Sequence, residues 1–228
     1  PDAAFKELRD CVRVVARRGA AYDFEPVTLP PDVVAYVRLL VAADADPDKT
    51  IRVIVNAKTN KISGCNALDK ILVDRNHPQY QELLRQIEAA LVAEGVHIVA
   101  SEAVIDELQT NEQVASEDVW FEEFLAKKAA IGAVDGLDEA ISFINHYSGG
   151  HSNTILTEDR NAALSFMEQI DSAAVYHNAS TRFTDGGQMG VGAELAISTD
   201  KLHHRGPLGL KQLVTNKYYV LGDGQVRA

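Results

Sequence analysis

The chain has 228 residues, 46% of them hydrophobic and 24% charged, enough to bury a sizeable core as one large domain or two small ones. That composition excludes disorder over most of the chain. The net charge of −11 comes from acidic residues spread along the sequence, which disfavours nucleic acid and anionic membrane as main partners.

The chain opens Pro1-Asp2-Ala3-Ala4, with neither the basic and apolar regions of a signal peptide nor a Met, and this reads as a processed or cut chain. Phe5 to Arg18 alternates apolar and basic positions as a short helix or strand. The stretch Pro26-Val27-Thr28-Leu29-Pro30-Pro31 then breaks any helix. Val33 to Val41 is apolar and β-branched and predicts a buried strand. Acidic Asp44, Asp46 and Asp48 around Pro47 predict a helix start, with the helix running to about Ala57. Strand Ile71–Val73, helix Tyr80–Glu94 and strand Val96–Val99 follow, the helix ended by Gly95. Next come a short helix over Ser101–Leu108, strand Ala129–Val134 and helix Gly136–Tyr147. Strand Asn153–Thr157, helix Asp159–Ile170 and strand Ala173–Asn178 complete the alternation. The whole predicts an α/β fold with a largely parallel sheet. After Ser180 glycines crowd the sequence, and Lys217 to Leu221 forms an extended run that an edge strand would need a partner to satisfy. No apolar run approaches the length that spans a bilayer. Two cysteines make no secreted disulfide framework, and a reduced, cytoplasmic setting fits them better.

Cys65 lies in a short polar turn between a predicted helix and a predicted strand. A thiol there is reachable, Lys58 and Lys61 are close enough in sequence to lower its pKa, and Gly64 lets a substrate approach the backbone. The competing reading is a small residue packing at a loop end, which is the better account of Cys11. Asn178-Ala179-Ser180-Thr181-Arg182-Phe183-Thr184-Asp185-Gly186-Gly187 follows a strand and is dense in donors. At the C-terminal end of a parallel strand this suits a ligand site, with Arg182 as a fork for carboxylate or phosphate; the alternative is a loop bonded to its own backbone. Gly149-Gly150-His151 is either a substrate contact or a glycine cap beside a solvated histidine. The pair His203-His204 has no third ligand at regular spacing, so no metal is expected. Gly190-Val191-Gly192 has no strand–turn–helix frame and is no dinucleotide fingerprint.

Four blocks carry a resemblance when taken together. They are Val55-Asn56-Ala57-Lys58-Thr59 running to Cys65-Asn66-Ala67-Leu68, the stretch Asn178 to Gly187, Gly190-Val191-Gly192-Ala193-Glu194, and Arg205-Gly206-Pro207-Leu208-Gly209-Leu210. Their order and spacing resemble the C-terminal half of the γ-glutamyl phosphate reductases, also called glutamate-5-semialdehyde dehydrogenases, within the aldehyde dehydrogenase superfamily. The likeness runs from about Val41 to Ala228, while Pro1 to Arg38 resembles the family poorly. Lys61-Ile62 stands where relatives carry Arg-Pro, and Asp69 where they often carry Glu.

The resemblance implies an aldehyde-dehydrogenase-like catalytic domain with an oligomerisation arm. It implies NADPH-dependent reduction of γ-glutamyl phosphate to glutamate 5-semialdehyde and phosphate, in proline biosynthesis. Cys65 would be the nucleophile that forms a thioester, Asn66 an oxyanion donor, and Asn178, Ser180, Thr181 and Arg182 the lining of the same cleft. Residues 1–45 would be a remnant of a cofactor domain, 46–179 the catalytic domain, and 180–228 a return segment and arm joining a homodimer or homotetramer. A glutamate 5-kinase is the implied partner that delivers the acyl phosphate. Only 64 residues precede Cys65, too few for the family's NADPH domain. The expectation is therefore an enzyme, a fragment that only assembles, or a cysteine-dependent acyl hydrolase or acyltransferase.

Overall fold

The computed structural model describes residues 37–110, 112–192, 194–201 and 204–227. The expectations for Phe5–Arg18, the proline stretch, Cys11 and His203 lie outside these residues. Six strands form one parallel sheet: β1 (Val37–Val41), β2 (Lys70–Asp74), β3 (His97–Ala100), β4 (Lys128–Val134), β5 (Ser152–Leu156) and β6 (Ala174–His177), in the order β3-β4-β2-β1-β5-β6. Four helices connect them: α1 (Pro47–Thr59), α2 (Tyr80–Ala93), α3 (Leu137–Tyr147) and α4 (Arg160–Gln169). One of the two central strands, β1, comes from before residue 46.

Side chains alternate across each strand, so one sequence feeds two cores. Val37, Leu39, Val41, Ile71 and Val73 pack with Ile54 of α1 and with Leu83, Leu84, Ile87 and Leu91 of α2. Leu40, Leu72, Val99 and Ile155 face the other way, against Ile141 and Ile144 of α3 and Phe166 of α4. Local signals set the helix ends. Asp46 accepts from the Lys49 N–H at 2.8 Å ahead of Pro47, and Asp159 accepts from the Asn161 N–H at 2.8 Å. At the end of α2, Gly95 takes a φ of +73°, which lets the Val96 N–H reach back to Leu91 O at 3.0 Å.

One expected helix needs correction. Ser101–Leu108 forms only a single 3-10 turn, Ile105–Glu107. The buried Glu88 carboxylate accepts from the N–H groups of Gln109 and Thr110 and draws the chain out of the helix. The extended run Lys217–Leu221 pairs with nothing among the described residues, and its Tyr218, Tyr219, Val220 and Leu221 are exposed. Ahead of it two short antiparallel strands, β7 (Ala196–Ser198) and β8 (Gly206–Leu208), form a hairpin held to the main body by Arg205, which donates to the Asp171 carboxylate at 2.7 Å.

β5 reads Ser-Asn-Thr-Ile-Leu, yet all five residues are buried. Its polar side chains are bonded instead of solvated. Asn153 donates to the hydroxyls of Ser148 and Ser172 and accepts from the Arg38 N–H, and Thr154 donates to Ala179 O. The last contact belongs to a segment that leaves β6 at its C-terminal end and folds back beside β5 to the other end of the strands. No helix among the described residues is long and apolar enough to cross a membrane.

Candidate active site

In open α/β sheets the ligand crevice falls at the C-terminal ends of the strands, where adjacent connections leave to opposite faces. Here that place is between β1 and β5, and it is closed. Asp44 accepts from the Thr157 hydroxyl at 2.5 Å and from the Glu158 N–H at 3.1 Å, and Lys49 bonds Glu158 at 2.7 Å. Cys65 stands at the opposite end of the strands, just ahead of the N-terminal end of β2.

Two consecutive turns raise Cys65. Gly64 N–H donates to Lys61 O and Ala67 N–H to Gly64 O; then Leu68 N–H donates to Ala57 O and Asp69 N–H to Val37 O. Ala67 and Leu68 are buried anchors, and Cys65 at the crest is exposed. Beneath the crest Lys58 donates to Asp69 at 2.9 Å, with both side chains buried. The other Asp69 oxygen accepts from the Phe124 N–H at 3.2 Å, and Lys70 donates to Glu122 O at 2.7 Å over the Phe124 ring. The segment Glu122–Phe124 is thereby stitched to the base of the Cys65 turn.

The second wall comes from the folded-back segment. Ser180 Oγ accepts from the Arg182 N–H and starts a 3-10 turn, Thr181–Phe183. Thr181 donates its hydroxyl to Asn66 O at 2.8 Å, and Asn66 Nδ2 donates to Thr184 O at 2.7 Å and Arg182 O at 3.4 Å. Arg182 reaches over Gly64 while its Nε donates to Asn60 Oδ1 at 3.3 Å. A Cβ on Gly64 would lie 2.8 Å from the Arg182 guanidinium and 2.9 Å from Asn66 Oδ1, so any side chain there would push the guanidinium aside. A depression of about 270 Å³ opens beside it, lined by Asn56, Asn60, Arg182, Phe183, Asp185 and Gln188. A larger cavity of about 420 Å³, lined by Leu72, Ser101, Trp120 and Phe143, lies over the middle of the sheet and shares no residue with the Cys65 turn.

Electrostatics here oppose the thiolate. Desolvation, then the carboxylates of Glu123 and Glu194, push the Cys65 thiol up to about 11; its own amide and Arg182 pull it back in part. The residue is open to solvent, but its sulfur sits among these groups. Lys58 does not supply the expected cation, because Asp69 holds its ammonium. Burial and the neighbouring Asp69 raise Glu123 to about 7, against the pull of Lys70 and Lys58. Burial lowers Lys70 to about 7, with Asp69 acting the other way.

Of the expected site residues, Cys65, Asn66, Ser180, Thr181 and Arg182 come together. Asn66 and Thr181 hold the two turns to each other and Ser180 caps the second, leaving Cys65 and Arg182 facing the opening. The outlier is Asn178. It stands at the C-terminal ends of the strands, with a φ of +51° and both polar ends bonded to the Thr157 backbone. The length of β5 separates it from Ser152 and Thr184, about 17 Å at ~3.3 Å per residue. Glu123 escaped the sequence reading, and Asn56, Asn60 and Asp185 fell inside its quoted stretches without being given a role. Their only signal was an acidic pair between two aromatics and an asparagine repeated four residues apart.

No protein-family model matches the chain. It is similar to the γ-glutamyl phosphate reductase of Dictyoglomus thermophilum, 46% identical over 189 residues that make up 83% of this chain and 45% of the relative. The corresponding protein of Bifidobacterium adolescentis is 41% identical, over 98% of this chain and 55% of its own length. Among solved structures, γ-glutamyl phosphate reductase from Thermotoga maritima superposes with a TM-score of 0.79 at 45% identity, covering 86% of this chain and 46% of that one. The chain thus spans about half the length of the curated relatives it matches. Over that half, in sequence and in fold, the chain belongs to the γ-glutamyl phosphate reductase family.

Proposed function

We propose that this chain carries the acyl-transfer half of a reaction that reduces γ-glutamyl phosphate to glutamate 5-semialdehyde and phosphate, in proline biosynthesis. The observation that carries the reading is an exposed cysteine at the crest of a turn whose neighbouring Gly64 is overlain by the Arg182 guanidinium, in a chain of this family. The Cys65 sulfur attacks the γ-carbonyl, a C–S bond forms, the bond to the phosphate oxygen breaks, and phosphate leaves with the electron pair. Glu123, raised to about 7, takes the thiol proton. The backbone N–H groups of Cys65 and Asn66, which donate to no oxygen among the described residues, face the developing oxyanion. Arg182 holds the substrate carboxylate or phosphate.

The family implies NADPH as reductant of the resulting thioester. The described residues do not fit that cofactor. Helices α1 and α4 begin with Asp46 and Asp159, acidic caps that repel a pyrophosphate, and no glycine-rich strand–turn–helix is present among them. The dinucleotide would be held by residues outside those described. Exposed Leu210, Tyr218, Tyr219, Val220 and Leu221 support an arm that joins a homodimer or homotetramer. The lability of an acyl phosphate supports delivery by a glutamate 5-kinase.

Phosphate-dependent oxidation of glutamate 5-semialdehyde, followed as NADP reduction, tests the reading. Activity lost in Cys65→Ser is expected. Phosphate release without cofactor consumption would instead indicate an acyl hydrolase or acyltransferase, and dimers without turnover an assembling fragment.

A further inference from the structure

His151 opens β5 after Gly149-Gly150, where a solvated ring was the alternative to a substrate contact. It is 2% exposed. Its Nδ1 lies 2.8 Å from Ser152 Oγ, which lies 2.6 Å from Thr184 Oγ1, which lies 2.7 Å from the Tyr176 hydroxyl. Ser152 and Thr184 are themselves buried. Each hydroxyl has one proton, so the chain of bonds runs in one sense at a time, toward His151 or away from it. At its inner end His151 Nε2 is buried and has no partner among the described residues.

Thr184 is where this chain of bonds meets the site. Its carbonyl accepts from Asn66 at 2.7 Å and its N–H donates to Thr181 O at 3.0 Å. Two residues before it, Arg182 reaches over Gly64. One residue is therefore gripped through its side chain by β5 and β6 and through its backbone by the nucleophile turn.

We propose that His151 is a positioning residue for the Cys65 site: through Ser152 and Thr184 it fixes the turn that carries Arg182 against the nucleophile. The inference rests on reading Cys65 and Arg182 as the reacting pair. A histidine that merely filled space would leave Arg182 in place when an apolar side chain of similar size replaced it.

The test compares alkylation of Cys65 by anionic iodoacetate and neutral iodoacetamide on the full chain, with peptide mass analysis separating Cys65 from Cys11. The ratio of the two rates reports positive charge beside the sulfur and needs neither substrate nor cofactor. Arg182→Ala sets the floor, a drop of about two- to fivefold. His151→Leu is expected to fall to that floor. His151→Asn, whose amide replaces Nδ1, is expected to keep the native ratio. Ser152→Ala and Thr184→Val break the same link without touching the ring, and are expected to match His151→Leu; they decide the matter if His151→Leu does not fold. A native ratio in the folded variants overturns the proposal, as does an equal loss in His151→Asn. An inactive native chain whose ratio still responds in this way would remove the proposed reaction and leave the positioning role standing.

Discussion

Replacing Glu123 by Gln removes one of the two carboxylates that add to desolvation in pushing the Cys65 thiol up to about 11. The sign is fixed: with less negative charge nearby the thiolate is more populated, so alkylation by iodoacetamide at pH 8 should rise by roughly three- to tenfold. Turnover should fall in the same variant, because the proton acceptor is gone. A variant slower in both would refute the electrostatic account. Beneath the turn, Asp69→Asn leaves the Lys58 ammonium buried without its counter-charge, which should cost about 3–5 kcal/mol in denaturant unfolding. Replacing both partners by Leu and Met should cost much less. These same residues show where sequence stops being informative. Lys58 looked like a cation available to the thiol, but its partner lies across the loop at Asp69, and no local pattern announces a pair that closes only when helix and strand pack.

Elements with a strong apolar period were legible to within a few residues, as in Tyr80–Ala93 and Lys128–Val134. Ser101–Leu108 had the period but too few turns to offset helix nucleation, and a distant Glu88 captured its end. The hairpin of β7 and β8 has three residues per strand, below what alternation can reveal. β5 was found despite its polarity because Ile155 and Leu156 follow the polar residues, although nothing local says why those are buried. Their partners supply the reason and a prediction. Asn153→Ala removes the buried bonds that Asn153 makes to the Arg38 N–H and to the hydroxyls of Ser148 and Ser172, and should destabilise the protein by about 1–3 kcal/mol, seen as a lower denaturant midpoint at unchanged slope.

For the whole molecule, the parallel sheet was evident in the alternation of strands and helices, but the location of the site was not. The usual crevice is closed by Asp44, Thr157 and Glu158, and the Cys65 turn stands at the opposite end of the strands. The difference depends on where a loop travels after β6, which composition does not encode. Global stability should also respond to acid through His151. Burial lowers its pKa from 6.5 to about 4, so the stability is fully present above pH 6.5 and is lost as pH falls toward 4. The loss should be on the order of 2 kcal/mol by pH 5, and His151→Asn should flatten it relative to the native chain. Removing residues 210–228 should leave the fold intact and lower the mass measured by light scattering if that segment joins subunits.

The segment from Asn178 to Thr184 is fastened at both ends, to Thr157 at one end of the strands and to Asn66 at the other. Such a strap cannot loosen at one end alone without straining its contacts along β5. Amide exchange at Thr157, whose N–H is held by Asn178, and at Thr184, beside the nucleophile, should therefore proceed through one shared opening, with matched free energies and matched sensitivity to denaturant.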